Sequence, residues 1–118
     1  MNSVDVLDGA INLVKRGWIQ GNLAADAEGK AAPPSSEKAC SWCLVGSILK
    51  AANVPDSPDW TLLNAGREIV DSVTAIQRTI RQVSLLEWND AEGREQQDVI
   101  QMLQKAKEGE EARLRWDS

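Results

Sequence analysis

Residues 39–49, Ala-Cys-Ser-Trp-Cys-Leu-Val-Gly-Ser-Ile-Leu, form the densest apolar run of the chain and contain both of its cysteines. On a helical projection the apolar side chains of this run lie on all sides, a distribution typical of a helix that is buried on more than one face. Small residues such as Gly46 and Ser47 would let neighbouring helices approach closely. The sequence therefore predicts a central helix over residues 36–52, ended by Asn53 and Pro55.

The segments on either side of this run also predict helices. Residues 4–16 carry apolar side chains at helical spacing, with Ser3 as a candidate N-cap and Gly17 as the stop. Ser57 and Pro58 mark the start of a second periodic segment, residues 58–83. This segment predicts one long helix or two helices with a break between residues 71 and 74, whereas a strand over residues 69–76 would lack the period-two alternation. A last helix is expected from about Arg94.

These elements predict an all-α fold, a compact single-domain bundle of about four helices. An irregular loop that carries Trp18 is expected to pack across the bundle, because three glycines interrupt the pattern between residues 17 and 29. The helical domain would span residues 1–107. Residues 108–118 are rich in charge and predict a frayed C-terminal tail, in which Trp116 is an unexpectedly large apolar side chain.

Length and charge limit the classes of partner. The chain has 118 residues, enough for one domain with its own core. Its net charge of -5 argues against nucleic acid as the primary partner, because phosphate contacts are made mostly by clustered Lys and Arg. No apolar run is long enough to span a membrane, and the first residues lack the layout of a signal peptide. We therefore expect a cytoplasmic protein without a membrane partner; the sequence does not indicate its oligomeric state.

The residue types exclude several chemistries. The chain has no histidine, so it cannot form a Ser-His or Cys-His catalytic dyad. A tetrahedral zinc site would need two nitrogen or sulfur ligands besides Cys40 and Cys43, and the chain has no third cysteine. We accordingly predict no metal site, no cofactor and no catalytic residue. The absence of histidine does not exclude catalysis by carboxylate or lysine side chains.

The Cys40-Ser41-Trp42-Cys43 segment permits two interpretations. On a helix, cysteines three residues apart lie on one side, and a helix N-terminus lowers a thiol pKa, which would suit a dithiol switch. However, the strand that precedes redox motifs of this kind in thioredoxin-like folds is missing. We favour packed core thiols, because free cysteine is among the most buried residue types.

Two short segments contain the candidate site residues. Trp88, Asn89 and Asp90 could present an amide and a carboxylate beside an aromatic wall. The structural alternative is that Trp88 fills the core while the polar pair bonds backbone groups in a turn. Trp18 and Gln20 permit the same two interpretations.

The tryptophans suggest how such a site would look. The chain has five tryptophans but neither phenylalanine nor tyrosine. If Trp18, Trp42 and Trp88 converge, they would wall an apolar pocket, which is the usual form of a ligand site. The alternative is an aromatic core without a cavity.

Three motifs carry a resemblance to a known family. Gly-Trp-Ile-Gln-Gly at residues 17–21, Trp-Cys-Leu-Val-Gly-Ser at 42–47 and Trp-Asn-Asp at 88–90 occur in this order, with a helix after the last. In this the chain resembles a family of small domains of unknown function found in actinobacteria and their phages, over about residues 4–107. The resemblance implies no activity, cofactor or catalytic residue. It suggests that Cys43, and not Cys40, belongs to the shared pattern, and a phage origin would favour an inhibitor of a host factor.

The leading functional hypothesis is a non-enzymatic protein-interaction module, of which a phage-encoded inhibitor of a bacterial host or defence protein would be one form. It would occlude a surface of its protein partner with acidic and apolar side chains. The alternative is a protein that binds or sequesters a small ligand, a nucleotide or metabolite, near the tryptophans. An enzyme ranks third, with Asp90 as its carboxylate.

Overall fold

The computed structural model describes residues 1–55 and 66–117. Within these ranges the chain forms five α-helices and one short antiparallel ribbon, which confirms the mostly helical single-domain fold class. The elements in chain order are α1 (Ser3–Arg16), β1 (Ala24–Ala25), β2 (Ser41–Trp42), α2 (Leu44–Ala51), α3 (Arg67–Ile80), α4 (Leu85–Asn89) and α5 (Gln96–Asp117).

Helix α1 is the centre of the fold. It packs against α5, α2 and α3, and its contact with α5 is the most extensive between any two elements of the described chain. Its inner face is fully buried at Val6, Leu7 and Val14. The prediction that residues 36–52 form the central helix was therefore wrong, because α1 is the element against which α2, α3 and α5 pack.

Only the second half of the predicted central helix is helical. Helix α2 begins at Leu44, while Ser41 and Trp42 form β2, which pairs with β1 so that Ala24 lies opposite Trp42. The backbone N–H of Trp42 donates to Gly17 O at 3.0 Å, and that of Cys43 donates to Leu23 O at 3.0 Å. The loop that follows α1 thus provides the hydrogen-bond partners that a longer helix would have provided itself.

The predicted helix over residues 4–16 is confirmed as α1, but its N-cap is Asn2 rather than Ser3. The Asn2 side chain accepts a hydrogen bond from Asp5 N, and the Asp5 side chain accepts one from Asn2 N, each at 3.0 Å. This reciprocal pair is a capping box. The Ser3 hydroxyl is buried and donates to Glu110 Oε1 at 2.7 Å.

The segment predicted over residues 58–83 forms α3 from Arg67 to Ile80, with Gly66 as its N-cap. The helix has no break between residues 71 and 74, and the strand considered for residues 69–76 is absent there. Arg81, in the left-handed region with φ of 58°, ends the helix. The predicted start at Ser57 and Pro58 lies outside the described residues.

The C-terminal segment is more ordered than predicted. The last helix, expected from Arg94, begins at Gln96 and continues to Asp117, so the prediction of a frayed tail was wrong for residues 108–117. Glu110 is only 4% exposed, and Arg113 Nη2 lies 3.2 Å from Asp71 Oδ2 on α3. These contacts hold the end of α5 against α1 and α3. Trp116 is 88% exposed. None of the described helices combines the length and the apolar character needed to cross a membrane.

Candidate functional site

Asn89, the last residue of α4, is fully buried and joins three segments of the chain. Its Oδ1 accepts hydrogen bonds from Trp18 Nε1 at 2.7 Å and from Leu44 N at 3.0 Å. Its Nδ2 donates to Ile19 O at 3.2 Å and to Asp90 Oδ1 at 2.9 Å. The amide therefore uses both of its donors and both acceptor positions of its oxygen.

Gln20 and Asp90 reinforce the same junction. Gln20 Nε2 donates to the backbone oxygens of Asn89 and Ala91 at 2.9 and 3.0 Å. In return, Asp90 Oδ1 accepts a hydrogen bond from Gly21 N at 3.1 Å. The structure thus brings together Trp18, Gln20, Asn89 and Asp90, four of the five predicted site residues, through direct hydrogen bonds. We call these four residues the Asn89 junction.

Trp88, the fifth predicted residue, is held separately. The guanidinium carbon of Arg94 lies 3.9 Å from the centroid of the Trp88 ring, a close cation–π contact. Arg94 Nε also donates to Trp88 O at 2.9 Å. Trp88 is partly buried and packs against the main core, as its structural interpretation predicts.

The tryptophans pack against two different parts of the core. Trp18 and Trp88 contact the main cluster between the helices. Trp42 lies with Leu13 and Ala24 in a smaller cluster under the ribbon, and its Nε1 donates to Pro34 O at 3.2 Å. Three converging indoles around one cavity are therefore not what the structure shows.

Gly46 explains why the loop after α1 can lie so close to α2. A Cβ atom at this position would overlap the backbone carbonyl of Leu23. The same loop also accepts the hydrogen bond from Cys43 N, so the two backbones must be in contact. Only glycine leaves room for this approach. The glycine of the Trp42–Ser47 motif is thus a packing requirement.

The two cysteines lie in unlike environments, and both are free. Cys43 is buried at the N-cap of α2, where its Sγ accepts a hydrogen bond from Gly46 N at 3.4 Å. Burial raises the pKa of the Cys43 thiol, although nearby backbone N–H groups oppose that effect. Cys40 is exposed and precedes β2. The prediction that both cysteines lie on one helix was wrong.

The Asn89 junction has little capacity for chemistry. Its buried amide has no hydrogen-bonding position left for a ligand, and its bonds all run to other parts of the chain. Across residues 1–55 and 66–117, no three His, Cys, Asp or Glu side chains are grouped so that they could hold a metal ion. The arrangement fixes the loop after α1 to the start of α2 and to the end of α4. Catalysis by the exposed Asp90 stays a prediction.

A second feature, which the sequence did not reveal, is an apolar groove between α2, α3 and α4. It has a volume of about 370 Å³. We call it the α2–α4 groove, and its lining consists of Val45, Ile48, Leu49, Ile69, Val73, Gln77, Val83, Ser84, Leu85 and Leu86. Val83 is 84% exposed and Leu86 is 47% exposed, so the apolar surface continues from the groove onto its rim.

A basic surface adjoins the groove at the C-terminal end of α3. A shallower cavity of about 270 Å³ shares Gln77 and Val83 with the groove and is also lined by Arg78 and Arg81. Both arginines are exposed. Their closeness to the groove follows from the two shared lining residues.

A third cluster surrounds Glu110 on α5 and includes Asp71 from the first half of α3. Arg113 Nε donates to Glu110 Oε2 at 2.8 Å, and Arg113 Nη2 donates to Asp71 Oδ2 at 3.2 Å. The Arg113 guanidinium, helped by the Ser3 hydroxyl, holds the pKa of the Glu110 carboxyl below its usual value, while burial opposes this. The cluster ties α5 to α1 and α3.

Comparison with known proteins places the chain in a family. Residues 1–108 match a family of unknown function, DUF6197. No curated protein and no solved structure matches the chain. The match includes α1 to α4, the Asn89 junction, the α2–α4 groove and the first half of α5. Because it covers most of the 118 residues, the chain belongs to the DUF6197 family.

Proposed function

We propose that this protein is a non-enzymatic interaction module that binds another protein through the α2–α4 groove. The observation that carries the proposal is the groove itself, an apolar recess with Val83 and Leu86 exposed at its rim. Exposed apolar surface that continues into a recess is typical of protein-binding sites. The groove is formed by helix faces, and such grooves commonly bind an amphipathic helix.

Binding would be driven mainly by the burial of apolar surface. Each apolar Å² removed from water contributes roughly 25 cal/mol, less the cost of association. Val83 and Leu86 stand at the rim, so a partner would cover them while its own side chains enter the groove. Occlusion of the partner's surface would follow directly, as in an inhibitor of a bacterial host or defence protein.

The Asn89 junction supports this function by positioning the walls of the groove. Asn89 ends α4, and its Oδ1 accepts from Leu44 N at the start of α2. Leu85 and Leu86 on α4 line one side of the groove, and Val45 on α2 lines another. The buried amide thus links two helices whose spacing determines the width of the groove. In this proposal Trp18, Gln20, Asn89 and Asp90 are positioning residues.

The small-ligand alternative has one observation in its favour. The volume of the groove lies within the range of small-molecule sites. Its lining suits an apolar molecule better than a nucleotide, because Gln77 and Ser84 are its only side chains with hydrogen-bonding groups within the described part of the chain. Thermal-shift screening would test this: a tight ligand raises the melting temperature of the free protein, whereas a protein-binding module responds only to its partner.

The direct experiment compares three proteins as baits in a lysate of the bacterial host. They are the wild type, a Val83→Ser/Leu86→Ser double variant, and Val70→Ser as the matched control. Val70 is 46% exposed on α3 and is not part of the groove lining. We expect the wild type and Val70→Ser to retain the same protein, and the double variant to lose it. Recovery of the same protein by all three baits, or of none, would contradict the proposal.

A further inference from the structure

We infer that the segment bound in the α2–α4 groove is an amphipathic α-helix with an acidic end, which lies against Arg78 and Arg81. This inference rests on the proposed function and names the chemistry of the partner. It combines an apolar recess that fits the nonpolar face of a helix with an adjoining basic surface that fits carboxylates.

The first step is continuity between the two surfaces. Gln77 and Val83 line both the groove and the cavity of Arg78 and Arg81. A helix that places apolar side chains in the groove would therefore bring its next turn beside the arginines. Such helices are recognised by anchors at positions i, i+3 or i+4, and i+7.

The second step is the charge of the arginines. No acidic side chain of the described residues lies within ion-pair distance of Arg78 or Arg81, whereas Arg67 and Arg113 both pair with Asp71. Arg78 is near enough to Glu110 to help lower the pKa of that carboxyl, but the carboxylate itself is hydrogen-bonded by Arg113 and Ser3. The chain as a whole is acidic, with a net charge of -5, so the pair is a local exception. An incoming carboxylate would find two guanidinium groups that are exposed and not ion-paired within that part of the chain.

The third step is orientation. Glu87 follows the rim residue Leu86 on α4 and is exposed, so the α4 side of the groove carries a negative charge. Carboxylates of a bound helix would be repelled on that side and attracted at the C-terminal end of α3. Complementary charge of this kind mainly determines in which direction the helix lies in the groove and contributes less to its affinity.

The test is selection from a displayed library of helical peptides with the full-length protein as the target. Four positions on one face vary among apolar residues, and two positions at each end vary among Glu, Lys and Gln. We expect enriched peptides to keep three or four apolar anchors and to carry Glu at one end only. The Val83→Ser/Leu86→Ser variant serves as the counter-target, and Val70→Ser as the matched control.

Selected peptides are then measured by fluorescence anisotropy against an Arg78→Gln/Arg81→Gln variant. We expect about three- to tenfold weaker binding, since exposed ion pairs contribute little individually. This difference should shrink in about 0.5 M NaCl, where exposed charges are screened. A Glu87→Gln variant should bind the same peptides at least as tightly as the wild type.

The outcomes separate the inference from the proposed function. Enrichment of peptides that carry Lys at an end, or that show no preference at either end, would overturn the inference that the partner helix has an acidic end. The groove would still be supported as a protein-binding site. Failure to enrich any peptide over the counter-target would overturn both. Binding that occurs only after residues 56–65 are replaced by a Gly-Ser linker would identify the chain's own segment as the occupant and overturn the inference.

Discussion

Trp18 Nε1 donates a 2.7 Å hydrogen bond to Asn89 Oδ1, and this bond joins residues 71 positions apart. The same oxygen accepts from Leu44 N, so one buried amide links the loop after α1, the start of α2 and the end of α4. Buried polar groups that lose their partners are costly, so we expect this contact to be sensitive to substitution.

Replacement of Asn89 by alanine should destabilise the protein by about 3 kcal/mol, because Trp18 Nε1 and Leu44 N would lose a buried acceptor. Urea unfolding followed by circular dichroism measures this difference. Asn22→Ala is the matched control: Asn22 is exposed in the same loop, and its replacement should change stability by less than about 0.5 kcal/mol. Equal stability of the two variants would contradict the structural role of Asn89.

Two glycine-to-alanine substitutions should have opposite effects. Gly46→Ala places a methyl group against the Leu23 carbonyl and should cost at least about 2 kcal/mol. Gly109→Ala lies in α5, where the added Cβ would meet no atom within 4 Å apart from its chain neighbours and the backbone of its own helix, and it should stabilise the helix by about 0.5–1 kcal/mol. Thermal unfolding of the two variants beside the wild type checks both signs. A neutral Gly46→Ala would show that the loop can move away from α2.

The contribution of Glu110 to stability should depend on pH. Because the pKa of Glu110 is lower in the folded than in the unfolded protein, its charge stabilises the fold fully above the unfolded value of about 4.5. This contribution is lost as the pH falls from there through the folded pKa. Glu110→Gln should therefore be about 1–2 kcal/mol less stable than the wild type at neutral pH, and the gap should narrow below pH 4.5.

Urea titrations of both proteins at several pH values between about 7 and 3 measure that gap. Glu108→Gln provides the control, because Glu108 is exposed on the same helix. A gap of constant size across the range would show that the ionised form of Glu110 has no special role.

The two cysteines should differ in reactivity. Cys40 is exposed and should be alkylated by iodoacetamide in the folded protein, whereas Cys43 is buried with a raised pKa and should be protected. Mass spectrometry should show one added group under native conditions and two in denaturant. A Cys40→Ser variant should remain unmodified until it unfolds. Rapid native modification of Cys43 would contradict its burial.

Local sequence signals were sufficient for part of the fold. The apolar spacing of residues 4–16 and the glycine at 17 predicted α1 closely, because helix periodicity and a stop residue act over a few positions. Residues 36–43 were predicted wrongly because the conformation of this segment depends on residues that are distant in the sequence. The backbone N–H groups of Cys40, Trp42 and Cys43 donate to residues 17–25, far away in the sequence. A short apolar run also does not distinguish a buried strand from a buried helix.

The candidate site shows the same division. The sequence pointed to Trp18, Gln20, Trp88, Asn89 and Asp90, and four of these five contact one another. It left their role open, because the partners of an amide depend on the tertiary fold. The α2–α4 groove needs the placement of three helices, although Ile69 and Val73 on one helix face and the apolar Leu85 and Leu86 were signals for it. Glu110 gave no signal, because it lies among charged residues typical of an exposed helix.

The packing of α1 against α5 has a consequence for the order of folding. Helix α1, the first of the described chain, has its most extensive packing contact with α5, the last. This contact joins residues that are separated by nearly the whole sequence. Contacts of such separation form late and slow the folding reaction. During synthesis, α1 leaves the ribosome long before α5 is made, so the part of its apolar face that packs against α5 stays exposed to solvent until then. The native core can therefore be completed only after α5 has been translated.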